Sequence, residues 1–110
     1  MDILNAELDD IEWLAPWEAS SANFEDELKR EIGRDHKLYG QQAISVARRS
    51  DRDDVLFYLP DSDLPLAVVH LTWSRRVEAP AQFPHTTFFS SVSEWVERCM
   101  NPDHRDWESA

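Results

Sequence analysis

VLFYLPDSDLPLAVVHLTW (residues 55–73) decides the fold. Two apolar runs, 55–60 and 66–73, flank the segment DSDLP (61–65). Asp, Ser and Pro favour turns because their side chains or rings stabilise bent backbone. Each run is short and rich in β-branched and aromatic residues, which predicts strand rather than helix. Apolar residues occupy both faces of each run, so both strands should be central and covered on both sides. The link is short enough for antiparallel pairing.

Working outward, QAISVARR (42–49) alternates, with Ile44 and Val46 on one face and Ala43, Ser45 and Ala47 on the other. SDRDD (50–54) is a turn. Beyond a loop with Pro80 and Pro84, TTFFS (86–90) predicts a short edge strand. A helix is predicted over 23–33. Asn23 caps it, and Glu25, Asp26 and Glu27 lie in its first turn, where the helix dipole favours anions. Phe24, Leu28 and Ile32 share a face, and Gly33 suits the C′ position. Ser91 and Glu94 form a capping box before Val92, Trp95, Val96, Cys99 and Met100, a core-facing helical stripe. Asn101 and Pro102 should end that helix and leave 102–110 as a flexible tail. Residues 3–19 predict a short helix stopped by Pro16. The expected fold is α+β: a single domain over 1–110, with a three- to four-stranded antiparallel meander sheet flanked by an N-terminal and a C-terminal helix.

Composition narrows the function. The chain has 110 residues, 42% of them hydrophobic, enough for one core. Its two glycines cannot build a phosphate-cradling loop of the Walker or dinucleotide type. The one cysteine, Cys99, rules out an internal disulfide and a multi-cysteine metal cage. No apolar run approaches the ~20 residues of a membrane span, and the acidic start does not resemble a secretory signal. A cytoplasmic location is expected. The net charge of −11 disfavours nucleic acid and anionic lipid and favours cationic partners. Residues 1–35 hold eleven acids against three bases, so the excess is concentrated there.

ELDDIEWLAPWE (7–18) is therefore the foremost partner-binding candidate. It sets Trp13 and Trp17 among carboxylates that include Asp9, Asp10 and Glu12, a mixture suited to a basic protein surface. The alternative for the two tryptophans is to cover the sheet. A second candidate is an arginine rim for anions, Arg48, Arg49 and Arg52 with Arg75 and Arg76, which a meander brings to one end of the sheet. The alternative there is a set of exposed ion pairs. His70 lies within the 66–73 strand, on the face of Leu66, Val68 and Thr72. It reads as a satisfied core histidine or, alternatively, as an acid–base group. Cys99 lies near a helix C-terminus, where the dipole disfavours a thiolate. No metal-ligand spacing is present, and no metal or cofactor is expected.

These features favour a non-catalytic acidic protein-binding module, immunity- or antitoxin-like, that neutralises or regulates a basic protein. The alternative is a small hydrolase or lyase with His70 as acid–base and the arginine rim holding an anionic substrate. A free edge strand or exposed Trp would also allow a homodimer.

Overall fold

The computed structural model describes residues 7–20, 22–73 and 84–109. It contains one five-stranded antiparallel sheet in the sequential order β1 (Trp17–Ala19), β2 (Ile44–Arg49), β3 (Asp54–Tyr58), β4 (Leu66–His70) and β5 (Thr86–Phe89). The meander is as the short turns predict, but it has five strands rather than three or four. The added strand is β1. It comes from the segment read as a helix stopped by Pro16, of which the described residues retain a helical turn only at 7–9. Trp17, Glu18 and Ala19 pair with Arg49, Arg48 and Ala47. Such a short strand has little intrinsic preference, and long-range pairing decides it.

Both faces of β3 and β4 are buried. Helix α1 (Glu25–Glu31) brings Phe24, Leu28 and Ile32 onto Val55, Phe57, Val69 and Leu71. Asn23 Oδ1 accepts from the Asp26 backbone N–H, as a helix cap should. Gly33 does not provide a left-handed C′ residue. The chain leaves α1 through an extended Ile32, and the positive-φ glycine is Gly40.

The opposite face packs Leu56, Tyr58, Leu66 and Phe89 against the N-terminal segment and a C-terminal helical rod. The rod comprises α2 (Val92–Trp95), a π-helical turn (Val96–Met100) and α3 (Asn101–Ser109). Ser91 Oγ accepts from Glu94 N–H at 3.0 Å, while the Glu94 carboxylate reaches Ser90. Contrary to the expected stop, helical structure continues through Pro102 to Ser109. A proline lacks its N–H and crowds the carbonyl four residues earlier. The wider π turn immediately before Asn101 gives that defect a place in the rod.

Two irregularities set the faces. Val46 is a bulge: Ser45 pairs with Phe57 and Ala47 with Leu56, leaving Val46 unmatched. Strict alternation would put Arg49 on the α1 face with Ser45. The bulge puts it on the opposite face, beside the C-terminal rod. At the end of β4, Trp73 has φ 59°, a left-handed conformation costly for a bulky side chain. Glu31 holds it there. Its carboxylate accepts from the Thr72 N–H and hydroxyl at 2.8 and 3.0 Å and from the Trp73 N–H at 2.9 Å.

Glu31 is fully buried. Burial, followed by its hydrogen bond with Glu27, raises its pKa, against the opposing bonds from Thr72 and Trp73. The folded state therefore holds this proton to higher pH than the unfolded chain. The associated stability is complete below the unfolded Glu value and is lost as pH rises through the folded value. Urea midpoints measured upward from pH 4.5 should show Glu31→Gln, which cannot ionise, gaining on the wild type. A constant difference between them would contradict the assignment.

Candidate functional site

The acidic segment is an ordered ridge. Leu8 and Trp17 are buried, while Ile11, Trp13 and Leu14 are half-buried against the same core. Glu7, Asp9, Asp10, Glu12 and Glu18 are exposed. Trp95 organises the inner side, with the rings of Trp13 and Trp17 edge-on to it at 5.8 and 5.2 Å between centroids. Trp17 is only 2% exposed, so its ring covers the sheet and supports the ridge from within. Trp13 reaches a groove of about 370 Å³ lined with Leu8, Asp9, Ala19, Ser45 and Val46. Among the described residues, Arg48 is the cation paired with this carboxylate set, at 3.9 Å from Glu18.

A polar hub joins the ridge to the sheet and the rod. Asp103 Oδ2 accepts from Trp17 Nε1 at 2.8 Å and lies 3.3 Å from Arg49. Arg49 also makes two 2.9 Å hydrogen bonds to Asp51. Burial alone would lower the Arg49 pKa, but the Asp51 hydrogen bond and the charges of Asp103, Asp51 and Asp54 raise it overall. Burial would raise Asp51, yet bonding to Arg49 and its charge bring it below the ordinary carboxylate value. Cys99 donates to Asp103 Oδ2 at 3.6 Å. Burial first, then the Asp103 charge, push its thiol up to about 12, so it stays protonated near neutral pH.

His70 lies at the mouth of a cleft, not in the core. Its side chain is 54% exposed, and Nδ1 lies 2.7 Å from Asp54 Oδ1. The cross-strand register opposes Asp54 and His70 directly. The satisfied core histidine is His36: Nδ1 accepts from Leu38 N–H and Nε2 donates to the Pro84 carbonyl, both at 3.0 Å. Nothing in its loop sequence signals that role, because Pro84 is 48 residues away.

The cleft holds about 270 Å³ between the ends of β2 and β4, the starts of β3 and β5, and the rod. Arg49, Arg52, His70, His85 and Arg98 line it with Asp54 and Asp103. Of the predicted arginine rim, Arg49 is here but engaged, and Arg48 projects beside Phe24 and Val55 on the α1 face. Arg75 and Arg76 lie outside the described residues. Arg52, expected at the same rim, is also here. Arg98 was not singled out from sequence, because it lay off the apolar stripe that defined its helix. Among the described residues no three His, Cys, Asp or Glu side chains converge as a metal set, and no helix is long and apolar enough to cross a membrane.

No protein-family model, curated protein or solved structure matches this chain, so its functional reading rests on site chemistry.

Two measurements test the hub. Asp103→Ala strands the Trp17 N–H and removes one of the two carboxylates at Arg49. It should cost about 2–4 kcal/mol in urea unfolding followed by tryptophan fluorescence. Asp103→Asn, which keeps an acceptor oxygen, should cost less; equal stability of all three proteins would contradict the hub. Iodoacetamide should modify Cys99 in the folded protein at least about tenfold more slowly than in denaturant. Equal rates would show an accessible thiolate instead.

Proposed function

We propose that the chain is a non-catalytic protein-binding module that neutralises or regulates a basic protein partner, in the manner of an immunity protein or antitoxin. The observation that carries this reading is the ridge over residues 7–18. Five carboxylates face solvent on a segment whose apolar residues are committed to the core. Such a surface loses little conformational entropy on docking and steers a cationic partner by its field.

The groove beside the ridge suits one lysine or arginine side chain. Leu8, Trp13 and Val46 offer an apolar wall for its methylenes, and Asp9 offers a charge for its head group. The contact set is Asp9, Asp10, Glu12 and Trp13, with Trp17 acting through the core. A homodimer through β1 or an exposed tryptophan is a competing use of the same region. Cys99, held protonated, supports binding over thiol catalysis.

A tagged full-length chain should retain a basic protein from its native lysate at low salt and release it at high salt. The triple variant Asp9→Asn, Asp10→Asn, Glu12→Gln should weaken that complex at least about tenfold while leaving the unfolding midpoint near that of the wild type. Retention of the same partner by the triple variant, or no partner at either salt, would overturn the reading. Self-association in sedimentation would assign the ridge to a homodimer instead.

A further inference from the structure

We infer that the cleft between Arg52, His70 and Arg98 is a binding site for a phosphomonoester group, distinct from the acidic ridge. The inference starts from which lining groups are already engaged. Asp103 is taken up by Arg49, Trp17 and Cys99, and Asp54 by His70. Arg49 is neutralised by two carboxylates. Among the described residues, Arg52 and Arg98 make no hydrogen bond and no ion pair within 4 Å, the charge of Arg52 acting only at longer range on Asp51, and the His85 side chain has no hydrogen bond either. The uncommitted groups of the cleft are thus two guanidinium forks and an imidazole. They come from different elements and line one cavity. Guanidinium forks match the oxygen spacing of phosphate and carboxylate.

The histidine selects between those two anions. An ionised Asp54 can only accept, so Nδ1 of His70 carries the hydrogen in their 2.7 Å contact. Nε2 remains for a ligand. In the neutral ring it accepts a hydrogen, and in the protonated ring it donates one. A phosphomonoester exchanges its second proton at about pH 6, so as the monoanion it can give an O–H to the neutral ring, as the dianion it can accept from the protonated ring, and it meets both arginines in either form. A carboxylate or sulfate has acceptor oxygens alone and pairs with this atom only when the ring is protonated. Asp54 is a positioning residue here, holding the ring with Nε2 available.

Size supports a small group. At about 270 Å³ the cleft lies just below the range of ligand pockets, roughly 300–1,000 Å³, so it suits a headgroup rather than a large molecule. The net charge of −11 opposes any anion. That opposition is long-ranged and screened beyond about 10 Å at 0.1 M salt, whereas direct arginine contacts are screened much less.

The test is titration of the full chain with inorganic phosphate, phenyl phosphate, a phosphoserine peptide and sulfate, followed by amide chemical shifts. The expected result is saturable binding of the phosphates, with shifts concentrated at 52–54, 70, 85–87 and 98–99, and weaker binding of sulfate. Arg52→Ala and Arg98→Ala should each weaken phosphate binding about tenfold. Both residues are exposed and make no hydrogen bond, so both variants should unfold nearly like the wild type. Tighter binding of phenyl phosphate would identify a small molecule as the source of the group, and tighter binding of the peptide a modified protein segment. Linear, scattered shifts, equal affinity for sulfate, or variants that bind as the wild type does would overturn the inference. None of these outcomes depends on the ridge, so the site stands or falls separately from the protein-binding reading.

Discussion

The carboxylate of Asp103 is where the N-terminal segment, the sheet and the C-terminal rod meet. It accepts from Trp17 on β1, faces Arg49 on β2, and stands on α3. A guanidinium only 7% exposed needs such a partner, because an uncompensated buried charge costs several kcal/mol. Two departures from regular geometry bring the group together. The bulge at Val46 moves Arg49 to the face of the rod, and the π turn lets the rod run on through Pro102 to present Asp103. His104 adds a second clasp on the same helix, donating to the Ala15 carbonyl at 2.7 Å. These contacts add to the pairing of β1 with β2 and to the burial of Trp17 against Trp95 in holding the short strand.

The buried faces of β3 and β4 impose a three-layer arrangement, and the two covers differ in kind. The α1 layer anchors the end of β4 through Glu31, spending a buried carboxylate on Thr72 and Trp73. The rod layer uses tryptophans. Trp95 is fully buried between Trp13 and Trp17, and its indole N–H makes no hydrogen bond to oxygen among the described residues, having only the Cys99 sulfur as a weak acceptor. Leaving such a donor buried costs about 1–3 kcal/mol, which the apolar area of the ring must exceed. The ridge is the outer surface of this aromatic cluster.

The strands, the capping box at Ser91 and the face on which His70 lies were legible in the sequence because each follows from a local period or a neighbouring turn. β1 was not, since three residues between a proline and a serine carry no period. The bulge was not, because Val46 looks like any alternating strand residue until its partner strand is known. The helix beyond Asn101 was hidden by Pro102, whose usual effect the π turn accommodates. The site was legible only in part. Exposed carboxylates at 9, 10 and 12 follow from composition, and a cationic sheet end follows from the meander. Which arginines are free does not, because Arg49 is claimed by Asp103 from 54 residues away and Arg98 gains meaning only when the rod crosses the strand ends.

The hub also limits the chemistry beside it. Asp103 holds the fold together and at the same time forms an anionic wall of the cleft. Any anion there must lie toward Arg52 and Arg98, away from that wall, with Arg49 already satisfied. Burial first, and then the charge of the same Asp103, keep the Cys99 thiol protonated, so the group that stabilises the rod also helps to silence this sulfur. What the cleft retains is recognition: two arginines and an oriented imidazole without an activated thiol. Under both proposals, a basic protein on the acidic ridge and a small anion in the cleft would use different side chains and share only the core between them, so neither contact would exclude the other.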